Sequence, residues 1–132
     1  MTETTKYIGG EYKVLQQFGG AMGHVFLVEK QGIGFPFVLK SYQDIKPHLE
    51  ELFFTEVKNW TSFGVHQNIV KTLFAEKFDG KIFVAAEFVE GNENGENRLT
   101  NYIGKNLPLH LIIKWAVQFS YGMNHCLGKG MI

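Results

Sequence analysis

The sequence predicts an α+β domain with a mainly antiparallel sheet. Its strand-like runs are joined by short loops, which antiparallel pairing allows and parallel pairing does not. Helical periodicity is confined to one internal segment and to the end of the chain, so helices and strands are segregated. The order is three strands, a helix, two strands, a polar stretch and then helices.

Each element has a local reason. Residues 1–11 are small and polar and end in Gly9-Gly10, which reads as a flexible leader. Tyr12 to Phe18 and His24 to Glu29 are apolar strand runs, separated by Gly19-Gly20-Ala21-Met22-Gly23. Gln31-Gly32-Ile33-Gly34 reads as a turn, and Phe35 to Tyr42 as a third strand with Pro36 at its edge or start. A helix follows from Pro47, a first-turn residue, to Phe63, with Gly64 beyond it. Leu49, Leu52, Phe53, Trp60 and Phe63 form its apolar stripe. Ile69 to Phe78 and Lys81 to Val89 are strands joined by Asp79-Gly80, a strong hairpin signal. Gly91 to Asn97 is the most polar stretch and reads as a surface loop or hinge. Leu99 to Ile103 suits a short helix. Asn106 and Pro108 open a long one, with Ile112, Trp115, Ala116, Phe119, Met123 and Leu127 on one face and Gly128 at its end.

Composition narrows the function classes. A chain of 132 residues suits one modest domain, and 45% hydrophobic residues with twelve phenylalanines call for a packed core rather than disorder. Thirteen basic residues balance thirteen acidic ones, so nucleic acid and anionic membrane are not expected partners. The single cysteine, Cys126, rules out an internal disulfide and suits a reducing compartment, so a cytoplasmic location is expected. No signal peptide is visible, and no apolar run reaches the roughly 18 residues of a membrane span.

Two charged residues stand out. Glu56 lies four residues from both Leu52 and Trp60, within the helix stripe, where a carboxylate is costly unless a cation meets it. The bland alternative places it at the stripe's margin, in water. In Phe37-Val38-Leu39-Lys40, Lys40 shares a strand face with Val38, which suits a half-buried ammonium, although an edge-strand lysine in water is the common case. Paired, the two charges neutralise each other. Glycines at 19, 20 and 23 let the backbone approach a ligand and turn N–H groups toward an anion, or simply make a hairpin loop.

These segments together resemble the protein kinase family, from about Tyr12 to Ile132. Gly20-x-x-Gly23-His24-Val25 is similar to the later part of the family's glycine loop, with Phe18 where the first glycine falls and Gly19 beside it. Phe37-Val38-Leu39-Lys40 resembles the Val-Ala-Ile-Lys strand, and Glu56 matches the helix glutamate that pairs with its lysine. His66-Gln67-Asn68-Ile69-Val70 resembles His-Pro-Asn-Ile-Val, with Gln67 for proline. Phe83 to Gly91 resembles the fifth strand and hinge, and Tyr121 to Ile132 the approach to the catalytic loop.

The resemblance implies a kinase-like small lobe over 12–90 with a five-stranded sheet, a hinge over 91–98, and the start of the large lobe over 99–132. It implies ATP and magnesium as cofactors, with the metal ligands outside these residues. Lys40 is expected to hold the α- and β-phosphates and Glu56 to orient Lys40. Gly20 and Gly23 would offer N–H groups to phosphate, and Val25 and Val38 would roof the adenine. The Glu87 carbonyl and the Val89 backbone would bond the adenine edge, with Ala86 leaving a deep pocket behind it. A ribose contact would fall to Glu93 or Asn97, which the residues do not separate.

The family's His-Arg-Asp motif would begin just after Ile132. The chain is therefore expected to be truncated before the catalytic loop and inactive alone, and to belong to a serine/threonine-type kinase that acts on protein substrates when complete. Part of the Trp115–Phe119–Met123 stripe is expected to be exposed, which favours self-association. Two alternatives stand beside this one: a non-catalytic, pseudokinase-like module that binds nucleotide or a partner, and a plain α+β interaction protein with Lys40 and Glu56 in water. The five histidines show no metal-ligand spacing, and Cys126 reads as a packed thiol.

Overall fold

The structure is a computed structural model that describes residues 5–20, 23–42 and 45–130. It contains strands β1 (Tyr7–Ile8), β2 (Tyr12–Gly20), β3 (Gly23–Lys30), β4 (Phe37–Tyr42), β5 (Thr72–Phe78) and β6 (Lys81–Glu87), with helices α1 (Glu50–Thr61) and α2 (Leu109–Gly128). The six strands form one sheet, in order β1-β2-β3-β4-β6-β5, and every neighbouring pair is antiparallel. Among the described residues no helix is long and apolar enough to cross a membrane.

The chain divides into two compact units, Met1–Ser62 with Lys71–Phe88, and Phe63–Val70 with Val89–Ile132. In the first unit, one face of the sheet carries the core: Ile8, Tyr12, Phe26, Val28, Phe37, Leu39, Phe83 and Ala85. Tyr12 of β2 touches Phe78 and Phe74 of β5, with ring centroids 5.3 and 6.2 Å apart. Strands far apart in the sheet thus meet through their side chains, so the sheet is curled around its aromatic core. A bulge between Val14 and Gln16 turns Leu15 outward and supports the curl.

The sheet has six strands where five were expected. The sixth is β1, which lies in the segment expected to be a leader. Tyr7 and Ile8 pair with Lys13 and Tyr12, and Ile8 is buried in the core. A two-residue strand is too short to show alternation, but it still supplies one core side chain. Residues 1–4 lie outside the described residues. Pro36 is excluded from β4, which begins at Phe37, and Pro47 opens a 3-10 turn, Pro47–Leu49, ahead of α1.

The stripe expected on the first helix is buried only in part: Phe63, just beyond the helix, is buried with Phe53 partly so. Val57 is buried and Phe53 packs on Tyr42 with ring centroids 5.0 Å apart, whereas Leu49, Leu52 and Trp60 are exposed. In the second unit, Tyr102 packs against Trp115 at 5.1 Å. Ile112, Phe119 and Leu127 of α2 are exposed, as expected for part of that stripe.

The boundary between the two units falls between Phe88 and Val89, and Phe63–Val70 goes with the second unit. There His125 of α2 binds the Phe63 carbonyl at 2.8 Å, and Gly122 packs against the Asn68 carbonyl.

Candidate functional site

Cross-strand partners in an antiparallel sheet share a face. Val25 pairs with Lys40 and Lys40 with Val84; Leu27 pairs with Val38 and Val38 with Ala86. Phe18 pairs with Val25. These residues therefore occupy one face, opposite the aromatic core. Helix α1 packs on this face at its β5 end, where Lys77 and Glu50 form an ion pair at 3.0 Å and Phe53 meets Tyr42. Beyond it, Phe18, Val25, Leu27, Val38, Lys40 and Ala86 remain half-buried. The result is an apolar surface with one cation in it.

Lys40 is half-buried as expected, but the expected buried ion pair with Glu56 is absent. Among the described residues the two form no salt bridge, and the Lys40 ammonium lies 5.0 Å from the centroid of the Tyr42 ring. Glu56 is exposed and lines a shallow concavity of about 450 Å³ with Ile45, Lys46, His48, Leu49, Leu52 and Phe53. The reason lies in the helix rotation. Seating Val57 and Phe53 on the sheet leaves Glu56 about 100° around the axis from Val57.

The glycine segment closes β2 onto β3, with Gly20 paired to Gly23. Its tip, Ala21 and Met22, lies outside the described residues. Gly23 has φ 131°, and an added Cβ would sit 2.3 Å from the Ser41 carbonyl oxygen, so only glycine fits there. Ser41 is a residue that the sequence reasoning passed over. It is buried, its hydroxyl accepts from the His24 N–H at 3.2 Å, and it lies 3.3 Å from the His24 carbonyl, to which it donates. Strand alternation could have signalled it, since Ser41 falls on the buried face between Leu39 and the end of β4. Replacing Ser41 with Ala is expected to cost about 1–3 kcal/mol, because His24 loses its buried partner. Denaturant titration checks this, and an unchanged midpoint would contradict the clamp.

At the end of β6, Glu87 pairs with Phe37 and is tied to Lys71 twice. Its N–H donates to the Lys71 carbonyl at 2.9 Å, and its carboxylate accepts from the Lys71 N–H at 2.7 Å. Ala86 faces the apolar surface.

The remaining expected site residues lie in the second unit. Val89 is exposed, and its carbonyl accepts from the Asn97 side-chain amide at 2.9 Å. Glu93 is exposed in a loop that folds on itself, with the Asn92 side-chain oxygen accepting from the N–H groups of Asn94 and Glu96. Hydrogen bonds from Lys105, and then from Asn92, hold the Glu96 carboxyl below its usual range. Its support of the loop is thus present at neutral pH and fades as pH falls through that lowered range. Among the described residues no group of three or more His, Cys, Asp or Glu side chains could hold a metal ion.

No protein-family model and no curated protein matches the sequence. Solved structures do. A variant of the PknI kinase domain of Mycobacterium tuberculosis superposes with a TM-score of 0.76 at 18% identity, over 98% of this chain and 53% of that one. The PknI kinase domain in another crystal structure gives 0.75 at 19% identity, over 98% and 54%. A doubly substituted PknI kinase domain gives 0.74 at 20% identity, over 91% and 50%. The chain spans about half the length of the kinase domains it matches. The curled antiparallel sheet, the helix packed on it and the helical segment that follows give this chain the fold of the N-terminal part of a protein kinase domain.

Proposed function

We propose that this chain is the ATP-binding part of a serine/threonine-type protein kinase domain, whose complete form phosphorylates protein hydroxyls. One observation carries the proposal: in a kinase-like fold, Lys40 is the cation set into an otherwise apolar sheet face, beside a glycine turn whose Gly23 tolerates no side chain. That combination suits a ligand with a flat apolar ring at one end and an anion at the other.

Val25 and Val38 would lie over the adenine, with Ala86 behind it. Lys40 would reach the α- and β-phosphates, and the N–H groups around Gly20 and Gly23 would complement their charge. The Glu87 carbonyl and the Val89 N–H would bond the adenine edge. The Asn97 amide is engaged by the Val89 carbonyl, which leaves the ribose contact to Glu93. Magnesium would arrive on the nucleotide phosphates and neutralise part of their charge. A cytoplasmic setting, where nucleotide is plentiful, belongs to the same proposal.

Isothermal titration of the chain with ATP and magnesium tests it. Saturable binding at one site, lost on competition with ADP, is the expected result; no heat above dilution at millimolar nucleotide would refute it. A non-catalytic, pseudokinase-like role has its own support. Lys40 and Glu56 stand apart and Phe18 occupies a glycine's place, both of which weaken phosphate positioning. Nucleotide binding without phosphate transfer in a chain of full kinase-domain length would favour that role.

A further inference from the structure

The polar loop that follows β6 is closed by a clasp that nucleotide binding does not require. The Asn92 side-chain oxygen accepts the N–H groups of Asn94 and Glu96, each at 3.0 Å, and the Asn92 side-chain amide donates to the Glu96 carboxylate at 3.0 Å. The Gly95 N–H donates to the Asn92 carbonyl at 2.8 Å, and the Asn92 N–H to the Glu96 carbonyl at 3.1 Å. The turn is tight enough that a Cβ on Gly91 would sit 2.5 Å from the Gly95 carbonyl carbon. At the tip stands Asn94-Gly95, and Asn94 is the only asparagine in the sequence followed by glycine. Both residues are exposed, and Gly95 has φ 74°. Among the described residues the Asn94 side-chain amide makes no hydrogen bond, so it is free to turn onto its own backbone.

We propose that Asn94 is a site of covalent self-modification, in which its side chain closes onto the Gly95 nitrogen at a pace set by the Asn92 clasp. The Gly95 nitrogen loses its proton and attacks the Asn94 Cγ, and glycine offers no Cβ to crowd the ring that forms. A new C–N bond replaces the bond to the side-chain nitrogen, which leaves with that proton as ammonia. Water then opens the cyclic imide at either carbonyl, giving aspartate or isoaspartate. The attack needs the Gly95 N–H released from the Asn92 carbonyl, so the closed clasp protects and an opened one reacts. Either product puts a carboxylate between Glu93 and Glu96. Isoaspartate also lengthens the main chain by a methylene where Gly91 already crowds Gly95, so conversion opens the loop. Glu93, the proposed ribose contact, adjoins the site, and on that reading conversion also lowers ATP affinity. The readouts below use no nucleotide, so they stand or fall apart from it.

The whole chain is held in warm neutral buffer and sampled over time, and the tryptic peptide Ile82–Arg98 is sequenced by tandem mass spectrometry. An amide-to-acid mass gain at Asn94 is expected, with Asn92 and Asn97 in the same peptide unchanged. The rate is expected to be about tenfold below that of the free peptide Gly91–Asn97, the worth of the Gly95 hydrogen bond. Asn92→Ala removes three side-chain bonds of the clasp and is expected to raise the rate about tenfold. Amide exchange at Gly95 and Glu96 is expected to speed up with time in the parent and to stay constant in Asn94→Gln, whose longer side chain closes far more slowly. Equal gains at all three asparagines would overturn the site, as would a rate below about one-hundredth of the peptide's, more protection than two hydrogen bonds supply. An unchanged rate in Asn92→Ala would overturn the clasp's control, and equal loosening in Asn94→Gln would overturn the opening of the loop by conversion.

Discussion

Phe37→Ala is expected to cost about 3–5 kcal/mol, a large share of the roughly 5–15 kcal/mol that holds a domain folded. Phe37 is 0% exposed and lies edge-on to both Tyr12 and Phe74, at 5.9 and 6.0 Å. It joins β4 at the middle of the sheet to β2 and β5, so a cavity there loosens the curl itself. Phe35, two residues earlier and 56% exposed, supplies the control. Phe35→Ala is expected to change stability by less than about 0.5 kcal/mol. Urea titration of both variants checks this. Equal losses would mean that the aromatic cluster does not organise the sheet.

Lys40→Met is expected to weaken ATP binding about 10- to 100-fold, the worth of roughly 1.5–3 kcal/mol for hydrogen bonds to a charged partner. Methionine keeps the apolar stem on the sheet face, so folding is expected to survive. Adenosine, which lacks phosphates, should bind the variant and the parent within about twofold. Loss of both ligands together would mean that the substitution damages the face rather than a phosphate contact. Glu56→Gln is expected to change ATP affinity less than about threefold, because Glu56 is exposed and apart from Lys40. Calorimetric titration of the two variants separates the roles.

The pair that first suggested a phosphate site was only half legible. Lys40 could be read because strand alternation has a period of two, and its partners Val25 and Val84 confirm the face. Glu56 could not, because α1 is apolar on more than one side. The expected stripe holds Leu49, Leu52, Phe53 and Trp60, while Phe53, Phe54 and Val57 make a second one that overlaps it at Phe53. Periodicity measures how strong a stripe is, not what lies beneath it. The sheet selected the second stripe, and Glu50 then met Lys77 while Glu56 turned outward. Similarly, Gly9-Gly10 between Tyr7-Ile8 and Tyr12 was a hairpin signal hidden by the brevity of its first strand.

By itself the sequence determined five of the six strands, the antiparallel pairing of those joined by short turns, the Asp79-Gly80 hairpin, the glycine turn and the face that carries Lys40. All of these follow from contacts between residues close in the chain, where alternation and turn chemistry act directly. Tertiary structure alone decided that Ile8 joins the core, that Phe63–Val70 packs with α2, that Ser41 clamps His24 and that Lys40 rests on Tyr42 rather than on Glu56. Apart from the Lys40–Tyr42 contact, these depend on which surfaces meet across long stretches of chain. There competition for burial among several apolar stripes, rather than any local preference, sets the outcome.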